Sequence, residues 1–189
     1  MGLGTGSTVA FLLPALAARG LELRCAATSP ATERAAGELG LMVESLDSLG
    51  TLDIAIDGAD QIAPEGWLVK GGGGAHTREK VVAAAATRFV VIASSDKLVE
   101  ELHAPVPLEL LRFGVTSTLA AVAPAELRAA PPSPDGNLIA DYLGPVGDPA
   151  VLAARLSAVP GVVEHGLFPP ELVSDVLVAH GSRVDHIQL

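Results

Sequence analysis

The stretch Val69-Lys70-Gly71-Gly72-Gly73-Gly74-Ala75-His76-Thr77-Arg78-Glu79-Lys80 decides how the rest of the chain is read. It follows the apolar segment Trp67-Leu68-Val69 and leads into the helix-forming run Val81-Val82-Ala83-Ala84-Ala85-Ala86. Consecutive glycines let backbone N–H groups turn toward one point, because no Cβ forbids positive φ. Lys70 stands before them, Thr77 is suited to cap the helix, and Glu79 then falls in the first turn. A cation, free N–H groups and a carboxylate at one helix mouth suit an anion that must be held while a proton is moved. The same glycines also fit a flexible linker, although their apolar and helix-forming flanks are unusual for one. The pattern is not a Walker loop, since the lysine precedes the glycines.

Moving outward, three other strand ends carry polar or glycine clusters. Gly4-Thr5-Gly6-Ser7-Thr8 forms a tight loop before a helix that begins at Val9 and contains Pro14. Helix-start N–H groups and the Ser7 and Thr8 hydroxyls make an anion site there, or a simple capped turn. Only three residues precede Gly4, so the strand that normally feeds such a loop is expected to be nearly absent. Leu52-Asp53-Ile54-Ala55-Ile56 reads as a strand running into Asp57-Gly58-Ala59-Asp60, a carboxylate pair or an Asp-Gly turn. Arg88 to Ala93 reads as a buried strand ending in Ser94-Ser95-Asp96-Lys97. Further strands are expected at 21–28 and 41–43, with a helix over 31–39 entered through Ser29-Pro30. The recurrence of polar strand ends points to one pocket built from successive βα loops.

Beyond about residue 104 the character changes. A helix is expected from Val115 to Ala123, a short strand near Leu127, and a hairpin signal at Asp135-Gly136-Asn137. A strand follows over 138–143, a helix from Asp148-Pro149 to Ala158, and a strand over 162–167. The order β-α-β-β-α-β is that of a ferredoxin-like unit. Asp175 to Ala179 reads as a strand returning to the first sheet. The expected fold is an open Rossmann-like α/β/α sheet with a second, smaller ferredoxin-like α+β domain. The expected domains are 1–104 plus 172–189, and 105–171.

Composition agrees. Of 189 residues 49% are hydrophobic but only 3% aromatic, so the core must be Ala, Val and Leu, as in α/β layering. A net charge of −10 disfavours nucleic acid and anionic membranes as partners. The single cysteine, Cys25, excludes an internal disulfide and reads as a buried apolar residue. The five histidines show no paired metal-ligand spacing. The longest apolar run, Val9 to Ala18, is too short to span a bilayer, and no basic region precedes it, so a cytoplasmic location is expected.

Taken in order, Gly2-Leu3-Gly4-Thr5-Gly6-Ser7-Thr8, Asp57-Gly58-Ala59-Asp60, Lys70 to Ala75 with Thr77-Arg78-Glu79-Lys80, and Ser95 with Lys97-Leu98-Val99 resemble ribose-5-phosphate isomerase, type A. Asp135-Gly136-Asn137-Leu138-Ile139 and Val159-Pro160-Gly161-Val162-Val163-Glu164 with Gly166-Leu167-Phe168 extend the resemblance along nearly the whole chain. It implies interconversion of D-ribose 5-phosphate and D-ribulose 5-phosphate through an enediolate, without metal or organic cofactor. By the same resemblance Glu79 is the base, and Lys70 with Gly71, Gly72 and Gly73 steadies the enediolate. Asp57 and Asp60 assist ring opening, Gly58 and Ala59 line the sugar, and Thr5, Gly6, Ser7 and Thr8 with Lys97 hold the phosphate. A homodimer or homotetramer is implied. The family normally has a helix and a full strand before its first glycine loop, whereas this chain begins almost inside that loop. It also differs at Pro14, Gln61 (usually Glu) and His76 (usually apolar). The competing reading is a non-catalytic sugar-phosphate-binding protein.

Overall fold

Short β-branched and apolar runs alternate with alanine-rich segments, and the chain folds accordingly into alternating strands and helices. The structure, a computed structural model, describes residues 1–188. The first part comprises β1 (Gly2–Leu3), α1 (Ser7–Ala17), β2 (Arg24–Ala27), α2 (Pro30–Glu38), β3 (Met42–Val43), α3 (Leu46–Leu49) and β4 (Ala55–Asp57). Two short strands, β5 (Gln61–Ile62) and β6 (Leu68–Val69), precede α4 (His76–Ala84) and β7 (Phe89–Ser94). Next come β8 (Val106–Leu110), α5 (Val115–Ala121), β9 (Ala125–Leu127), β10 (Leu138–Tyr142), α6 (Pro149–Ser157), β11 (Val162–His165) and β12 (Leu167–Phe168). Last are β13 (Asp175–His180) and β14 (Arg183–Gln188). The chain divides into two compact units. One holds Met1–Gly58, Arg78–Ser95 and the chain from Glu171 onward; the other holds Ala59–Thr77 and Asp96–Pro170.

In the first unit the strand order is β14-β13-β7-β4-β1-β2-β3. All neighbours are parallel except β14, which runs antiparallel on the β13 edge. Without β14 this is the doubly wound order of Rossmann-like sheets, with its reversal between β1 and β4. The expectation of a nearly missing central strand needs correcting. Both residues of β1 are buried and hydrogen-bonded on either side. Gly2 N–H donates to Ile54 and Gly4 N–H to Ile56, while Ala26 and Thr28 donate to the carbonyls of Met1 and Leu3. Such bonding leaves no edge at the sheet centre. Gly2 must be glycine, since a Cβ there would lie 2.4 Å from Val82 and 2.8 Å from Ala55 Cβ. Leu3, Val9, Leu13, Cys25, Ala36 and Leu41 form a core beneath α1 and α2. Burial also pushes the Cys25 thiol pKa up, which suits an inert core residue.

The second unit contains an antiparallel sheet of order β11-β8-β10-β9, the strand order and α-helix placement of a ferredoxin-like fold. Asp148 caps α6 by accepting from the N–H groups of Ala150 and Val151, with Pro149 at the first helical position. A second, three-stranded sheet of order β12-β6-β5 belongs to the same unit. Residues 59–77 and 96–104, which sequence alone groups with the larger domain, lie here. Pairing of β6 with β12 takes Val69 into the core of Val106, Leu108, Leu110 and Leu167, and Leu102 joins it. Among the described residues no helix is long and apolar enough to cross a membrane.

Candidate active site

In the first unit the loops after β1 and β4 meet at the reversal of strand order. Asp57, at the carboxyl end of β4, is 3% exposed. Its Oδ1 accepts the N–H of Gly58 at 2.7 Å and that of Thr5 at 3.1 Å. Gly4 lies so close that a Cβ there would stand 2.0 Å from the Asp57 carboxyl. Thr5 faces inward twice, since its hydroxyl also pairs with that of Thr28 at 2.7 Å. Thr32 adds a bond from its hydroxyl to the Gly4 carbonyl at 2.9 Å and one from Ser29 at 3.1 Å. So Thr5, Thr28, Ser29 and Thr32 form a buried hydroxyl cluster under the loop. Gly6 takes φ 117° and starts α1 without a side-chain cap, leaving the first turn lined by exposed Ser7 and Thr8. A cavity of about 470 Å³ borders Ser7, Thr8 and Ser94. Glu79 occupies the first turn of α4 and is 4% exposed.

In the second unit the glycine stretch leaves β6 as a pinned turn rather than a linker. Lys70 N–H donates to the Gly166 carbonyl at 2.8 Å, and the Gly166 N–H to that of Pro107 at 2.7 Å. The Lys70 side chain is 3% exposed, and its Nζ stands 5.4 Å from the Phe168 ring centroid, a cation–π distance. Gly71 has φ 107°, and a Cβ on it would meet His76 Nδ1 at 2.6 Å. Gly72 N–H donates to Asp60 Oδ2 at 2.8 Å. Buried His76 fills the space under this turn. Gln61 pairs with the main chain of His103, donating to its carbonyl at 2.8 Å and accepting its N–H at 2.9 Å. Lys97 sits on a one-turn helix beside Asp96, 3.4 Å away and partly exposed.

Thr77 differs from expectation. The helix starts two residues earlier than a cap at Thr77 requires, at His76, so Thr77 is inside it and its hydroxyl donates to Glu109 Oε2 at 2.5 Å. Glu109 is fully buried on β8, and its other oxygen accepts Ser133 at 2.7 Å and Asn137 at 2.8 Å. Sequence reasoning passes over Glu109, and also Arg128, whose guanidinium joins Asp141 to the glycine turn. The Asp141 hydrogen bond, with the charges of Asp141 and Asp60, raises the Arg128 pKa. A lone arginine in the Ala- and Pro-rich run 123–134 is the one signal that points to it.

The comparisons with known proteins converge. The family model of ribose 5-phosphate isomerase A (phosphoriboisomerase A) matches residues 24–183. Ribose-5-phosphate isomerase A of Caulobacter vibrioides (strain NA1000 / CB15N) is 45% identical over 205 aligned residues, covering 100% of this chain and 89% of the relative. That of Halobacterium salinarum (strain ATCC 29341 / DSM 671 / R1) is 46% identical over 179 residues, covering 89% of this chain and 79% of the relative. The solved structure of ribose 5-phosphate isomerase A from Methanocaldococcus jannaschii superposes with a TM-score of 0.93 at 33% identity, covering 100% of this chain and 90% of that one. On sequence and fold together, the chain belongs to the ribose 5-phosphate isomerase A family.

Proposed function

We propose that this chain interconverts D-ribose 5-phosphate and D-ribulose 5-phosphate, an aldose–ketose isomerisation, with Glu79 as the base. The carboxylate of Glu79 takes the C2 proton of the open-chain aldose and returns it to C1, and the O1 and O2 protons redistribute through the enediolate. Negative charge on the enediolate oxygens is met by Lys70 and by N–H groups of the Gly71 to Gly73 turn, in which the Gly72 N–H holds Asp60. Asp57 and Asp60 move the ring-opening protons, beside Gly58 and Ala59. The 5-phosphate rests on the first turn of α1 through Gly6, Ser7 and Thr8, with Thr5 anchoring that loop and Lys97 adding positive charge. The observation that carries the reading is the burial of Asp57 at the end of β4, Lys70 directly after β6 and Glu79 in the first turn of α4, at 3%, 3% and 4% exposure. Ionisable side chains are seldom so buried without a chemical or pairing role.

The reaction belongs to the non-oxidative branch of the pentose phosphate pathway, and we place the protein in the cytoplasm as a homodimer or homotetramer. We also keep the ferredoxin-like segment, residues 105–171, as a domain distinct from the catalytic one. Incubation with ribose 5-phosphate and other phosphosugars, without added metal, tests the reading. Turnover is expected to be fastest with the pentose 5-phosphate, and a preference for another phosphosugar contradicts it. Light scattering that finds a stable monomer contradicts the assembly.

A further inference from the structure

The Arg128 guanidinium spends four N–H groups in one plane. Nε donates to Asp141 Oδ2 at 2.9 Å and Nη2 to Asp141 Oδ1 at 2.5 Å, a two-point clamp onto β10. Nη1 then donates to the carbonyls of both Gly71 and Gly72, each at 3.0 Å. A trans peptide points its N–H opposite to its C=O. Fixing the Gly71 carbonyl therefore fixes the Gly72 N–H, which reaches Asp60 at 2.8 Å. Fixing the Gly72 carbonyl likewise turns the Gly73 N–H away from Arg128. The Gly71 carbonyl also accepts the Gly74 N–H at 3.0 Å, so the clamp weighs most on the Gly72–Gly73 peptide plane, where glycine has the widest choice of φ and ψ.

We propose that Arg128, anchored by Asp141, is a positioning residue that sets the direction of the Gly73 N–H for catalysis through the Gly72 carbonyl. Arg128 acts through the main chain and does not touch the substrate. The inference rests on the assignment of the glycine N–H groups to the enediolate. Those donors matter most as charge develops, so their misdirection lowers kcat more than it raises KM. Lysine cannot replace the clamp, since a single ammonium lacks the planar fork that meets Asp141 and two carbonyls together.

The test is steady-state kinetics of the full chain on ribose 5-phosphate. Arg128→Ala is expected to lower kcat about 100-fold with KM within about threefold, the scale of a small misplacement at a reacting centre. Added guanidinium is expected to restore roughly tenfold of that loss and to leave the parent and Glu79→Gln unchanged. Asp141→Asn keeps the Arg128 charge but loosens its anchor, and a fall of about tenfold in kcat is expected. If both variants hold kcat within about threefold of the parent, the inference is overturned. It is overturned equally if the Arg128→Ala loss resists guanidinium and follows its drop in thermal midpoint. Should Arg128→Ala not fold, Arg128→Lys and Asp141→Asn decide by the same threshold. Glu79→Gln measured alongside separates the failures. A parent chain without turnover of ribose 5-phosphate removes the reading of the reaction, turnover in Glu79→Gln removes the assignment of the base, and an inactive Glu79→Gln with full-speed Arg128 variants removes only this inference.

Discussion

The backbone N–H of Thr5 donates to Oδ1 of Asp57 at 3.1 Å, across the point where the order of the parallel strands reverses. That bond ties the glycine loop after β1 to the carboxylate after β4. It explains why Thr5 looks inward while Ser7 and Thr8 look outward, and why the position before Thr5 carries no side chain.

Gly4→Ala tests this tie directly. The added Cβ would lie 2.0 Å from the Asp57 carboxyl, so either the loop or the carboxylate must move. A loss of about 100-fold in kcat/KM is expected, together with a destabilisation of about 1–3 kcal/mol from overpacking. Kinetics and denaturant unfolding on the same preparation measure both. An alanine variant with parental kinetics shows that the approach of Gly4 to Asp57 is incidental.

Thr32→Val removes the hydroxyl that donates to the Gly4 carbonyl at 2.9 Å while nearly keeping the side-chain shape. Leaving that carbonyl without its buried donor costs about 1–3 kcal/mol in unfolding free energy. KM for ribose 5-phosphate is expected to rise, because the loop proposed to hold the phosphate loses its support. An unchanged KM detaches the hydroxyl cluster from substrate binding.

Both oxygens of Glu109 accept bonds, from Thr77, Ser133 and Asn137. Glu109→Gln sets an amide donor against at least one of these donors, and a loss of about 1–3 kcal/mol is expected. Denaturant midpoints measure it. A neutral substitution contradicts the acceptor-only role.

Asp175 is buried and accepts from Arg88 at 2.6 Å and faces His186 Nε2 at 2.6 Å. The Arg88 hydrogen bond, then that of His186, holds its carboxyl pKa down from 3.8 to about 2. A folded-state pKa below the unfolded one stabilises the fold above the unfolded value, and that stabilisation fades as pH falls through the folded one. Parent and Asp175→Asn thermal midpoints are therefore expected to differ most near neutral pH and to converge between pH 3.8 and about 2. A gap that stays constant over that window contradicts the ion-pair account.

Residues whose partners are local along the chain are legible in the sequence itself. Lys70, the glycines, Glu79 and Asp57 announce themselves by strand-loop-helix spacing, and Ser29-Pro30 and Asp148-Pro149 by capping chemistry. The supports are not legible there, because sheet register brings them in. Arg128 meets Asp141 only because β9 and β10 pair with Leu127 opposite Ala140. Thr28 and Thr32 reach Thr5 only because β1 lies beside β2. The two-residue β1 is too short to read as a strand alone, yet its neighbours on both sides complete it. β14, Arg183-Val184-Asp185-His186-Ile187-Gln188, has only two apolar residues and lies mostly exposed at the edge, a weak signal beside the buried run of β13.

The central claim is that Glu79 moves the proton. The most direct measurement is turnover of ribose 5-phosphate by Glu79→Gln in deuterated water, with binding followed separately. Loss of kcat by about 10²–10⁴-fold, the range for a removed general base, is the predicted result. Any residual product should take the new hydrogen at C1 from solvent, as deuterium, and substrate affinity should be nearly unchanged. A variant that isomerises within about tenfold of the parent rate would contradict the assignment and with it the account of the site.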